Sequence, residues 1–367
     1  MKKYKVLFIV TNFSNSLTKC LGIEFPILLA PMAGGPTTPQ LVTAVSNAGG
    51  LGQFGAAYLN EDEIVTMANQ LRASTNKSFG INLFLPQKPK YTDQEFSKAT
   101  EALTYYFSKF GLKLPKNIID TTPSFSQQLK AVIESDIKFC SFHLGLPTKI
   151  NIQELREAGI FTAASATSVE EGKQAEERGV DFIIAQGSEA GGHRGTWIGD
   201  WRHSMTGSLT LLAQLKALLS TPIIAAGGIM NGAGIAAAMA LGAVGVQMGT
   251  AFLTCPEAGV NDDYKKALLN TSHDNTIVTR TFSGRPARGL RNYYIEKMEN
   301  SGSYALPFPL QNILTGPLRK AAAKENNTDF MSMWCGQGAS LSRGIPAAKL
   351  IKALVDEYNQ TLITIAN

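Results

Sequence analysis

Short apolar runs recur along this 367-residue chain, each followed by a glycine-rich or polar loop and then, in most cases, a helical pattern. Eight of them, at 25–30, 51–54, 79–84, 138–142, 160–165, 182–185, 222–226 and 244–248, read as buried strands. A strand covered by helices on both faces shows a continuous apolar run instead of an alternating one. Between the runs lie helix patterns such as Leu41, Val42, Val45 and Ala48. Ser168 is placed to cap the helix through Arg178, and Gly179 to end it. Eight strand–helix units predict an α/β fold, a parallel (β/α)8 TIM barrel. A doubly wound open sheet has the same alternation; only the count of eight favours the barrel.

The rhythm breaks twice. Residues 86–124 carry four prolines around a helical piece near 93–110, and read as an insertion into the barrel of residues 17–255. Residues 256–340 show no strand period and predict a second, smaller, mostly helical domain over the barrel mouth. A C-terminal segment, 341–367, is expected to pack back on the barrel as a helix.

Composition excludes several function classes. The net charge is +5, but no basic run interleaves with aromatics, so nucleic acid is not an expected partner. Cys20, Cys140, Cys255 and Cys335 lie far apart with no CxxC, which argues against a disulfide framework or a metal site and fits a cytoplasmic chain. The start, MKKYKVLFIV, imitates a signal peptide, but its apolar run is shorter than the roughly 7–15 residues of a signal core. It reads as a short extension or edge element. No stretch approaches the ~18 apolar residues of a membrane span.

In a barrel of this kind the chemistry lies at the C-terminal ends of the strands. After the sixth strand comes QGSEAGGHRG, residues 186–195, which mixes four glycines with an amide, a carboxylate, an imidazole and a guanidinium. After the seventh comes Gly227-Gly228, and after the eighth Gly249-Thr250. Glycines followed by helix starts form a cradle of N–H groups for phosphate; Asn231 or Thr250 would add a side-chain donor. Asn82 and Gln186, at neighbouring strand ends, offer amides to the edge of a flat heterocycle, a pattern that FMN fits. His193, between glycine-rich turns, is the candidate catalytic group. Arg194 and Glu189 are expected to brace the loop, His143 to be structural, and His203 and His273 to be surface or lobe residues.

The segments APMAGG (30–35), GINLF (80–84), QGSEAGGHRG (186–195), AAGGI (225–229) and QMGTAFL (247–253) together resemble the nitronate monooxygenase family. FSGRPARGLRN (282–292) and MWCGQG (333–338) extend the similarity. The resemblance implies non-covalent FMN and oxidation of alkyl nitronates, such as propionate 3-nitronate, by O2. Carried over by motif, Asn82, Gln186, Gly191, Gly228, Gln247, Met248, Gly249 and Thr250 would hold FMN, and His193 would face the substrate. Arg285, Arg288 and Tyr304 are candidates for a substrate carboxylate. Two alternatives share the glycine loops: an FMN-dependent enoyl-acyl-carrier-protein reductase using NAD(P)H, and a flavin or phosphate sensor without turnover. Oligomeric state has no sequence signature here.

Overall fold

The computed structural model describes residues 13–366; the N-terminal extension read from residues 1–10 lies outside them. The predicted strands form at β1 (Ile27–Leu29), β2 (Gly52–Gly55), β3 (Phe79–Phe84), β4 (Phe139–His143), β5 (Phe161–Ala166) and β6 (Phe182–Gln186). A two-residue strand, β7 (Gly192–His193), intervenes before β8 (Ile223–Ala226) and β9 (Gly245–Met248), which are the seventh and eighth barrel strands. The parallel sheet runs β1-β9-β8-β6-β5-β4-β3-β2. It closes where Leu28 bridges Leu51, with Leu29 N–H donating to Leu51 O at 2.9 Å and Leu51 N–H to Ile27 O at 3.0 Å. A closed barrel, not an open sheet, is therefore the architecture.

Local sequence sets the helix starts. Asn60 with Glu63 and Thr92 with Glu95 are reciprocal caps, each satisfying two N–H groups that a helix leaves unpaired. Ser168 accepts from Glu171 N–H, and Gly179 ends that helix at φ 89°, both as the sequence predicts.

The barrel interior is layered. Its base is apolar, with Leu28, Leu51, Phe139, Phe182 and Ile224 packed together. The short helix Ser16–Leu21 seals this end with Leu17 and Leu21, both fully buried; each contributes roughly 2 kcal/mol. Toward the C-terminal ends of the strands the inward residues become polar: Gln53, Asn82, Ser141, Ser165 and Gln186 are all buried.

A second core covers the mouth. Ala99, Leu103 and Phe107 of the helix Asp93–Lys109 pack with Phe282, Tyr294, Leu314, Leu318 and Phe330. The insertion and the lobe thus share one core. The lobe also contains strands the sequence did not announce. β10 (Thr276–Thr279) and β11 (Ala287–Leu290) pair antiparallel, and β11 pairs with β7, so that Ala287 faces His193. The strands of this small sheet have at most four residues and no alternating burial, which leaves no period to read. The C-terminal helix Ala347–Ala366 packs through Leu350, Ile351 and Leu354 into the barrel's outer core.

Candidate active site

The loop from Gln186 to Gly195 is held almost entirely by its own neighbours. Gln186 donates from Nε2 to His193 O at 3.0 Å and accepts from Gly195 N–H at 2.7 Å. Arg194, 1% exposed, donates to the carbonyls of Gln186 (3.3 Å), Gly187 (2.6 Å) and Ser204 (2.8 Å). Glu189 accepts from Ser208 N–H at 2.9 Å, at the start of the helix Ser208–Leu218. His143 receives Ser165 Oγ–H at Nδ1 (2.9 Å) and donates from Nε2 to His193 O (3.2 Å), an assignment that follows because a carbonyl can only accept. Burial first, then the Arg285 charge, pushes its pKa down to about 4, so it is a neutral strut. The bracing roles of Arg194 and Glu189 and the structural role of His143 are those the sequence suggested. His203 is exposed, and His273 is exposed in the lobe, where it meets Ser340 at 3.0 Å.

His193 is different. Its backbone is fixed by the ladder to β11, but its Nε2 is buried with no hydrogen-bond partner among the described residues. The ring stands among Phe308 (5.2 Å between centroids), Trp334 (5.9 Å) and Phe84 (6.1 Å). Burial, then the charge of Arg285, pushes its pKa down to about 3, so the imidazole is neutral near pH 7. His193 as a residue still keeps accessible surface, and so do Tyr58, 40% exposed, and Arg319. Yet protein surrounds each closely enough to shift its ionisation by desolvation. Accessible surface within dense surroundings is the signature of residues lining a recess. Outside it lies a cleft of ≈650 Å³ whose lining includes Lys88, Arg280, Arg285 and Phe308; Phe308 is the wall it shares with His193.

The loops after β8 and β9 carry the opposite condition to the 186–195 loop. Gly227 and Gly228 have φ of 112° and 72°, a conformation that L side chains rarely adopt. The N–H groups of Gly227, Gly228, Gly249 and Thr250 donate to no group among the described residues. Asn82 donates from Nδ2 to Ser141 O and Oγ, both at 3.0 Å, and its Oδ1 accepts from no group among the described residues. Gln247 Oε1 accepts from Gln53 Nε2 at 3.1 Å. Gly191 packs against the lobe: a Cβ there would lie 2.4 Å from the Cys335 carbonyl carbon. Gly336 N–H donates to Thr250 Oγ1 at 2.8 Å, tying MWCGQG to the eighth strand end.

The family model described as nitronate monooxygenase matches residues 14–357. The chain belongs to the nitronate monooxygenase family. A protein named probable nitronate monooxygenase from Staphylococcus aureus (strain MSSA476) is 39% identical over 349 residues, covering 95% of this chain and 98% of that one. The crystal structure of nitroalkane oxidase from Streptomyces ansochromogenes superposes with a TM-score of 0.88 at 37% identity, covering 96% of this chain and all of that one. FabK from Thermotoga maritima gives 0.75 at 30% identity, covering 96% and 98%. As a member of the nitronate monooxygenase family, the protein is an oxidoreductase.

Within that family frame, the structure gathers Asn82, Gln186, Gly191, His193, Gly228 and Gln247–Thr250 at one end of the barrel. Several have protein partners that narrow their roles. Gln186 spends both ends of its amide on the His193 loop. Asn231 caps its own helix, its Oδ1 accepting from Gly234 N–H at 2.9 Å, which leaves Nδ2 as its one donor group. The three candidates for a substrate carboxylate also spend donors on the protein, although Arg288 Nη2 has no partner among the described residues. Arg288 donates to Ser188 O and Thr276 Oγ1, and Tyr304 to Glu95 Oε1 at 2.7 Å. Arg285 donates to Arg194 O, Thr196 O and Gln87 Oε1. Sequence reasoning missed Gln53, Tyr58 and Arg319. Tyr58 was findable, since it lies three residues beyond β2. Arg319 was not, because it sits on a lobe helix, Gly316–Lys324, whose placement over the mouth has no sequence signal.

Proposed function

We propose that the protein oxidises alkyl nitronates with O2, using FMN held at the barrel mouth, to give a carbonyl compound with release of nitrite or a related nitrogen oxide. The observation that carries this reading is the pairing of a neutral, unpartnered imidazole with a strand-end cradle whose N–H groups have no acceptor. The donor set suits the cofactor. Four uncommitted N–H groups at Gly227, Gly228, Gly249 and Thr250 match a phosphate. The Asn82 carbonyl and the Gln247 amide match the polar edge of an isoalloxazine. Met248 would contribute backbone alone, since its side chain is buried in the outer core; Gly191 would leave room beside the lobe. FMN, when bound, supplies the electron acceptor that these side chains lack.

A nitronate arrives already deprotonated, so the reaction needs no base to create the anion. Neutral His193 has one N–H to offer a nitronate oxygen. The aromatic walls exclude water, so that hydrogen bond meets little competition. Arg285 and Arg319 add a positive potential at the ring, which depresses imidazolium and favours a bound anion by the same physics.

The test is an anaerobic absorbance titration of the flavin-loaded protein with propionate 3-nitronate, followed by admission of air. Bleaching, then recovery with nitrite release, is the expected result. Bleaching by NAD(P)H with no response to nitronate would move the reading to an enoyl-acyl-carrier-protein reductase, and no response to either would leave a binding protein. His193→Asn should retain the flavin spectrum and lose turnover about 100-fold, the cost of a lost anion-stabilising donor.

A further inference from the structure

We propose that Arg319, oriented by Thr315 and Asn312, is the specificity-determining residue that binds a carboxylate at the end of the substrate remote from the nitronate group. The proposal rests on the nitronate reading of the site and adds the residue that selects dianionic substrates.

The guanidinium is held on two sides only. Nε donates to Thr315 Oγ1 at 3.2 Å, and Nη2 donates to Asn312 O at 2.6 Å and Oδ1 at 2.9 Å. Asn312, Thr315 and Arg319 follow a spacing of three and four, which places them along one side of consecutive helical turns, Leu310–Leu314 and Gly316–Lys324. The anchor therefore fixes the plane of the fork. Nη1 makes no hydrogen bond among the described residues, yet it is not among the sealed, unsatisfied atoms, so it remains accessible.

No carboxylate balances this cation. Arg319 belongs to none of the ion pairs among the described residues. The groups that favour its charge are the phenols of Tyr58 and Tyr294, and burial raises both phenols' pKa above 10, so both are neutral at pH 7. A desolvated guanidinium without a counter-ion is costly to maintain. The other two arginines near His193 contrast with it: Arg194 and Arg285 both feel the Glu171 carboxylate, and each places all its bonds on protein carbonyls and an amide. Arg194 Nε also lacks a partner but is sealed, so of these three arginines only Arg319 keeps an unpartnered nitrogen that is accessible. Its anchor Thr315 donates to Phe282 O, and the Phe282 ring meets Trp334, which meets the His193 ring; with its charge felt at His193 and Tyr58, Arg319 lies toward the same recess. A planar fork with one fixed edge and one open donor suits a carboxylate.

The decisive probe is succinate, in which one carboxylate replaces the planar nitronate of propionate 3-nitronate; butyrate keeps that group and replaces the other by a methyl. Binding is read as perturbation of the bound flavin spectrum. Succinate is expected to bind at least tenfold tighter than butyrate to the wild-type protein. Arg319→Met should erase most of that preference by weakening succinate about tenfold, as loss of one charge-assisted bond predicts. Arg319→Lys, which keeps the charge and loses the fork, should recover part of it. In turnover, the ratio of kcat/KM for propionate 3-nitronate over propyl 1-nitronate should fall about tenfold, chiefly through KM. Equal binding of succinate and butyrate by the wild type overturns the proposal, as does equal weakening of both by Arg319→Met. If Arg319→Met fails to fold, Asn312→Ala, which frees the fork, gives the same readout. Failure to oxidise either nitronate would defeat the functional reading alone, because the succinate preference is measured without turnover.

Discussion

The two glycine-rich regions of the mouth look alike as sequence and behave oppositely as structure. In the loop after β6, the long polar side chains are tied within the protein: Gln186, Glu189 and Arg194 all bond to loop or helix backbone. In the loops after β8 and β9, four N–H groups have none. The first region is scaffolding that presents one group, His193; the second is a receptacle. Variety of residue types marks the scaffold, whereas unmet hydrogen-bond capacity marks the place for a ligand.

Breaking the scaffold should have the largest effect. Arg194→Met strips the donor from the carbonyls of Gln186, Gly187 and Ser204 and should lower stability by about 3 kcal/mol, read as the urea midpoint, with flavin lost as the loop relaxes. A stability change under 1 kcal/mol would mean that the loop is held elsewhere and the contrast is overdrawn. Acid should act next. His143 and His193 titrate near 4 and 3 in the folded protein but near 6.5 when unfolded. The unfolded chain therefore binds more protons between those values, so stability is full above about pH 6.5 and falls as pH drops toward 4. Urea midpoints at pH 7, 6 and 5 should decline, and His143→Gln should flatten the slope. The smallest effect belongs to the receptacle. Gly228→Ala adds a Cβ at φ 72°, 3.2 Å from Glu189 Cβ, for about 1–2 kcal/mol of strain. FMN affinity by fluorescence titration should weaken about tenfold. Gly179→Ala, at φ 89° with open space around it, carries a similar backbone strain and should leave affinity unchanged; equal losses in both would deny the receptacle its role.

Much of this was legible in the chain. All eight barrel strands are announced by apolar runs, because a strand buried on both faces has little choice of residue. Ser168 and Gly179 mark their helix ends because capping is local. The His193 loop stands out because glycine and imidazole rarely sit together for packing alone. What stayed hidden depends on long-range placement. β10 and β11 exist because β7 gives them a partner. Asn231 shows by residue type that it can donate, but only the structure shows that its Oδ1 is spent on its own helix. Arg285, Arg288 and Tyr304 look available until their acceptors appear, and Arg319 comes to the mouth only through the second core.

The C-terminal helix Ala347–Ala366 has a consequence for how the molecule is made. It lies against both Gly232–Ala240 and Pro39–Asn47, the helices that follow the seventh and first barrel strands, and so fills the eighth position of the ring. Glu357 accepts from Gly232 N–H at 2.9 Å and pairs with Arg343 at 2.6 Å. The lobe is thus an interruption inside the last strand–helix unit, not an appendage. On the ribosome, the ring of helices stays incomplete until residues 347–366 have emerged. A chain stopped at residue 340 would keep every strand and every residue of the mouth and still lack the piece that covers the join between its beginning and its end.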